Sequence, residues 1–206
     1  KKIIYKKRKL PNNFKRGKST WDIQAYQRDS LDKDVNIKDR DMIILSDVDE
    51  IIEPSKLRYK YNEIERYELL NLRFYGNYIN LSSPWWRQPL STSYNVAKDI
   101  GLQALRTSHK ALKPGNAYNI FRQFLKQRKN NLIKNSGWHF SYMSSKKNNH
   151  ETIKKKINSN SHYEHKDKVL INTNILNFRI KWGLDINQNS SPDLWGALNK
   201  KIIKNK

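Results

Sequence analysis

The stretch Met42-Ile43-Ile44-Leu45-Ser46-Asp47-Val48-Asp49-Glu50-Ile51 constrains this chain more than any other. Four consecutive apolar residues are too few for a helix. Preceded by the polar run Lys38-Asp39-Arg40-Asp41, they predict a short strand buried on both faces, as in a parallel sheet. The strand ends in acid. Alternation along a strand would point Asp47 and Asp49 the same way, at the sheet edge where open α/β folds bind ligands. Two neighbouring carboxylates repel unless a cation lies between them. Oxygen ligands suit Mg2+ or Mn2+, which commonly take their remaining ligands from water and a substrate phosphate. The expectation is a metal-diphosphate site, against the bland alternative of a surface loop carrying acids.

With 206 residues the chain is read as one domain, residues 1–206, ending in a basic tail at 200–206. The apolar fraction is only 36%, but 6 Trp, 11 Tyr and 6 Phe supply bulky side chains for a core. A net charge of +22 favours anionic partners such as nucleic acid, anionic membrane or a phosphorylated ligand, and it does not specify a fold. Lys, Asn and Ile are all abundant, so an AT-rich coding sequence accounts for the charge as readily as selection for binding does. The absence of cysteine excludes disulfides and thiolate metal sites. No apolar run reaches the roughly 20 residues that span a bilayer, and no signal-peptide pattern is visible. The expectation is therefore no stable membrane insertion and a cytoplasmic location in a microbe or virus-infected cell.

Along the chain, Ser19-Thr20 offers an N-cap for a helix over Trp21 to Leu31. Pro54 begins a short helix. Tyr67 to Tyr75 reads as a half-buried strand, with Leu70, Leu72 and Phe74 on one face and Asn71, Arg73 and Tyr75 on the other. Gly76-Asn77 marks a turn and Tyr78 to Leu81 the returning strand. Trp85 and Trp86 sit in a Pro-bounded segment and either cap the core or form a stacking platform for a sugar ring or base. Tyr94 to Arg106 leaves strand and helix open, and Asn116 to Gln127 has helical spacing. Gly137 to Tyr142 is a further strand carrying His139 between aromatics, a core or edge residue or a ligand. A Lys-rich helix over Asn148 to Ile157 precedes Ser161-His162-Tyr163-Glu164-His165. Helices are then predicted over Asp167 to Lys181 and from Ser191-Pro192 onward.

Read in order, Trp21 with Gln27-Arg28, Ser46-Asp47-Val48-Asp49-Glu50-Ile51, Gly137-Trp138-His139-Phe140-Ser141 and Ser161-His162-Tyr163-Glu164 resemble glycosyltransferase family 17. This is the family of the beta-1,4-mannosyl-glycoprotein 4-beta-N-acetylglucosaminyltransferases. The similarity runs from about Trp21 to Gly183. It implies an α/β fold of GT-A (Rossmann-like) type, a mostly parallel sheet flanked by helices, and inverting transfer of N-acetylglucosamine from UDP-N-acetylglucosamine to a sugar hydroxyl of a glycan. By the same resemblance Asp47 and Asp49 bind Mn2+ or Mg2+ and through it the donor diphosphate. Glu164 is the first candidate for the base and Glu50 the second, while His139 or His162 completes the metal shell or holds a phosphate. Trp85 and Trp86 are the candidates for the glycan acceptor. The family's first strand and helix, which help build the uridine pocket, precede the segment matching Trp21 and are expected to be missing here in part. Ile52-Glu53-Pro54 also departs from the family pattern.

Two other classes compete. A haloacid dehalogenase-type phosphatase also places Asp-x-Asp after an apolar strand, but Ile51 stands where that family has Thr or Val, and no downstream acidic pair completes its Mg2+ site. A basic nucleic-acid-binding module would explain the charge and the tryptophans, through non-specific phosphate contacts.

Overall fold

The computed structural model of the chain describes residues 7, 9–10, 20–33, 35–75, 78–80, 85–108, 130–143, 153, 155, 174, 177–178 and 201–202. The protein is mixed α/β. Its contacts divide it into two compact units, the first comprising Lys1–Ser46, Leu57–Arg66 and Gln88–Ile133, the second Asp47–Lys56, Tyr67–Arg87 and Lys134–Lys206.

In the first unit, α1 (Thr20–Arg28) is followed by β1 (Met42–Leu45). The remaining elements are β3 (Ile64–Tyr67, its last residue falling in the second unit), β7 (Leu90–Ser93), α2 (Tyr94–Ile100), α3 (Leu102–Thr107) and β8 (Asn130–Ile133). The strands form one sheet in the order β1-β7-β3-β8, and both β1 and β3 run antiparallel to β7. The expectation that β1 is buried on both faces of a parallel sheet is therefore corrected. It lies at the sheet edge, with Met42 and Ile44 each 42% exposed and Leu45 buried. The physical reason is that β7 runs directly into α2. Helical Val96, Ala97, Leu102 and Leu105 cover one face, where they join Leu45, Ile64 and Leu90 in the core. An antiparallel sheet tolerates water on its other face.

The segment left open between strand and helix is two helices broken at Gly101, whose φ of +89° is accessible to glycine and strained for other residues. Asp29 accepts a hydrogen bond from the Gln103 backbone N–H (2.8 Å), so a carboxylate from the end of α1 satisfies a donor in the first turn of α3. Arg28 Nη1 donates to Gln103 Oε1 at 2.8 Å across the same pair of helices. Tyr94 donates to Asp32 (3.0 Å), and this bond, with partial burial, raises the phenol above its ordinary value.

Two arginines lie inside this unit. Arg66 and Arg106 are each 1% exposed. Arg66 donates to the carbonyls of Gln88 (3.3 Å) and Leu105 (3.2 Å) and to the Ser108 hydroxyl (2.5 Å). Burial and then the neighbouring Arg106 charge lower its pKa to about 10.

The second unit contains β2 (Glu50–Ile52), a 3-10 turn (Pro54–Lys56), β4 (Leu69–Tyr75), β5 (Tyr78–Asn80), β6 (Trp85–Trp86), β9 (Gly137–Ser141) and β10 (Lys201–Ile202). Its sheet runs β10-β5-β4-β9-β2, with β6 added on β4. The predicted hairpin is present as the β4–β5 pair, Tyr75 opposite Tyr78. Among the described residues β4 pairs parallel with β9, whereas the β1–β7, β3–β7, β2–β9, β4–β5, β4–β6 and β5–β10 pairs are antiparallel. A mostly parallel sheet is thus not what these strands form. Only two residues separate the sequential strands β4 and β5, a spacing that only antiparallel neighbours permit, and the turn expected at Gly76-Asn77 lies outside the described residues.

No helix among the described residues is long and apolar enough to cross a membrane. The helices predicted over Asn116 to Gln127, over Asp167 to Lys181 and from Ser191-Pro192 onward lie wholly or mostly outside the described residues. So does most of Asn148 to Ile157, where Ile153 and Lys155 are helical.

Candidate functional site

The acidic motif does not continue the strand. The Glu50 N–H donates to the Asp47 carbonyl (3.0 Å), closing a turn with Val48 fully exposed at its tip. The alternation that would point Asp47 and Asp49 the same way is therefore replaced by turn geometry, for which Ser and Asp are suited because they satisfy local backbone groups. The Glu50 side chain supports the turn: its Oε2 accepts the Asp47 N–H (2.8 Å) and its Oε1 accepts the Trp86 indole N–H. At 5% exposure Glu50 is a buried carboxylate with hydrogen bonds on both oxygens, the condition under which such burial is tolerated.

Strand register assembles the rest. Across β2, β9 and β4, Glu50 lies opposite His139 and His139 opposite Asn71, so the three share a sheet face. Trp86 pairs with Leu69, two residues from Asn71, and turns to the same face. Its ring stacks on His139 with centroids 4.3 Å apart and planes 12° from parallel. His139 is 7% exposed, with Nδ1 2.9 Å from Asn71 Oδ1 and Nε2 3.7 Å from Asp49 Oδ2. The Phe140 N–H donates to the Asp49 carbonyl at 2.8 Å, tying the acidic turn to β9.

The adjacent row faces the other way. Ile51, Trp138, Leu70 and Trp85 are in register across β2, β9, β4 and β6, and Ile51, Trp138 and Trp85 are 49%, 41% and 46% exposed. The two tryptophans treated alike in the sequence are thereby separated. Trp86 packs into the polar cluster, while Trp85 belongs to the outer row.

Of the candidate residues, Asp49, Glu50, His139 and Trp86 come together, and Asp47 joins through its backbone N–H. His162 and Glu164 lie outside the described residues. Sequence reasoning missed Asn71, which alternation assigned to the polar face of its strand and which is 1% exposed, more buried than Leu70 or Leu72 on the apolar one. It also missed Glu68, 4% exposed, which accepts from Arg87 Nε at 2.6 Å. An asparagine set between leucines in β4 was the available signal for Asn71.

Among the described residues no group of three or more His, Cys, Asp or Glu is placed to hold a metal ion. Asp49 and His139 nevertheless fit a site with two protein ligands. Their separation of 3.7 Å is within the roughly 4.2 Å that two metal–ligand bonds of about 2.1 Å can span. Hard divalent cations are often held by one or two protein groups plus substrate phosphate.

Comparison with protein-family models, with curated proteins and with solved structures finds no match.

Proposed function

We propose that the protein is a metal-dependent inverting glycosyltransferase that moves N-acetylglucosamine from UDP-N-acetylglucosamine to a sugar hydroxyl of a glycan. The observation that carries this reading is the meeting of the Asp49 carboxylate and the His139 imidazole, about ninety residues apart in the chain, beside the buried Glu50–Trp86 pair. Both residues come from the segments that resemble family 17, and their juxtaposition supplies a carboxylate and an imidazole for Mn2+ or Mg2+. When bound there, the cation would neutralise charge on the diphosphate leaving group. A GT-A-type nucleotide-sugar fold is part of the proposal, supported by the acidic turn that directly follows β1.

The chain's own residues have separate tasks. Glu50 holds the Asp47–Glu50 turn through the Asp47 amide and fixes Trp86 through its indole, so its role in this reading is positional. Glu164 is assigned as the base: it takes the proton of the acceptor hydroxyl as that oxygen bonds to the anomeric carbon and the bond from that carbon to the diphosphate oxygen breaks. Trp85 offers an exposed indole face to an acceptor sugar.

The test is calorimetric titration of UDP-N-acetylglucosamine and of UDP into the protein with and without Mn2+, repeated with Asp49→Ala. Binding that requires Mn2+ and falls at least about tenfold in the variant is the expected result. Binding indifferent to Mn2+, or absent in every condition, overturns the reading.

A further inference from the structure

Asn71 occupies a position that an apolar residue would fill at lower cost. It lies within β4 and is 1% exposed. Burying a primary amide is unfavourable unless it is hydrogen-bonded, and Asn is a poor strand former. The His139 ring is its partner: Asn71 Oδ1 lies 2.9 Å from Nδ1. An amide oxygen accepts only, so this contact requires the proton on Nδ1. In the neutral ring the lone pair then resides on Nε2.

The remaining contacts of His139 agree with that tautomer. Nε2 faces Asp49 Oδ2 at 3.7 Å, too long for a hydrogen bond, so the carboxylate does not hold a proton on Nε2. Trp86, stacked on the imidazole at 4.3 Å, opposes rotation of the ring out of the plane that directs Nδ1 to Asn71 and Nε2 to Asp49. Trp86 is in turn held by Glu50, which also holds the turn that carries Asp49. Metal-binding histidines usually donate their second ring N–H to an oxygen acceptor, and this partner sets both tautomer and basicity.

We infer that Asn71 is a positioning residue: by accepting the Nδ1–H of His139 it presents the Nε2 lone pair beside Asp49, and the two together bind a divalent cation. This rests on the metal half of the proposed function and does not depend on the sugar or the acceptor. Asn71 itself does not touch the cation.

Two measurements test it, both independent of transferase activity. The first is the 15N spectrum of the imidazoles in the metal-free protein, at a pH where the rings are neutral, with His139 assigned through His139→Gln. The Nδ1–H tautomer is expected, and a dominant Nε2–H form would overturn the inference without recourse to any Asn71 variant. The second is titration with Mn2+ alone, read by the electron paramagnetic resonance of the free ion. Asn71→Leu should weaken Mn2+ binding about 10- to 100-fold, whereas Asn71→Asp, which still accepts the Nδ1–H, should retain the tautomer and bind within a few-fold of wild type. A wild-type protein that does not bind Mn2+, a folded Asn71→Leu that binds it normally, or equal weakening in both variants would each overturn the inference. Mn2+ binding that obeys these expectations with no response to UDP-N-acetylglucosamine would overturn the transfer reading alone.

Discussion

At the scale of single residues, a hydrogen bond at Tyr94 and burial at Arg66 shift two titrations in opposite directions. Tyr94 is half-buried and donates to Asp32 at 3.0 Å, which raises its pKa. A phenol whose folded pKa lies above its unfolded value of about 10 binds more protons in the native state between the two. Its contribution is fully present below about pH 10 and is lost as pH rises through the folded value. Tyr94→Phe should therefore lower stability at neutral pH by about 0.5 kcal/mol, the low end for a partly exposed bond, and flatten the alkaline decline. Urea denaturation at pH 7 and above pH 10 measures both; an unchanged alkaline slope would remove Tyr94 as its source. Arg66 works in the opposite sense. Its pKa of about 10 lies below the ordinary guanidinium value, so the unfolded chain binds more protons above pH 10 and stability from this group rises there.

Among the elements, the pairing of β2 with β9 depends on one glycine. Gly137 has φ +141°, and a Cβ on it would lie 2.0 Å from the Ile51 carbonyl oxygen and 3.1 Å from the Glu53 nitrogen. The obstruction is backbone of the facing Ile51–Glu53 segment, so no side-chain rotation relieves it. Gly137→Ala should destabilise by about 3 kcal/mol or more, and because β9 carries His139 it should weaken Mn2+ binding as well. A urea midpoint within error of wild type would show that β9 can shift away from β2 at little cost. The glycine in Gly137-Trp138-His139 thus has a structural role independent of any ligand: it permits close approach of two strands whose next residues hold the candidate site.

For the molecule as a whole, net charge is the property that acts at long range. A chain of net charge +22 will attract polyanions whatever its activity. Binding to a mixed-sequence single-stranded oligonucleotide should weaken steeply between about 50 and 200 mM salt, as counterion release requires, and should not be displaced by UDP-N-acetylglucosamine with Mn2+. Fluorescence anisotropy across a salt series measures this. Salt-insensitive binding, or competition by the nucleotide sugar, would mean that the oligonucleotide occupies a built site and would move the nucleic-acid reading ahead of transfer.

The sequence by itself determined the local elements of this protein: the strand Met42–Leu45, the helix after Thr20, the strand from Leu69, and Gly137–Ser141 with His139 on it. Each follows from a short apolar period or a cap contained within a few residues. The acidic motif was legible as chemistry, and its partner His139 as a candidate. Only the tertiary structure decided that β1 pairs antiparallel at a sheet edge, that Asp47 to Glu50 turn instead of extending, and that Trp86 faces inward while Trp85 faces out. It also decided that Asn71 is buried while Leu70 and Leu72 on the opposite face are only partly so. The reason is physical: alternation divides a strand into two faces but does not say which one will be covered. Register between strands so far apart in the chain is set by the packing and hydrogen bonds they make together, so Asn71, His139 and Glu50 become one row only once β4, β9 and β2 have met.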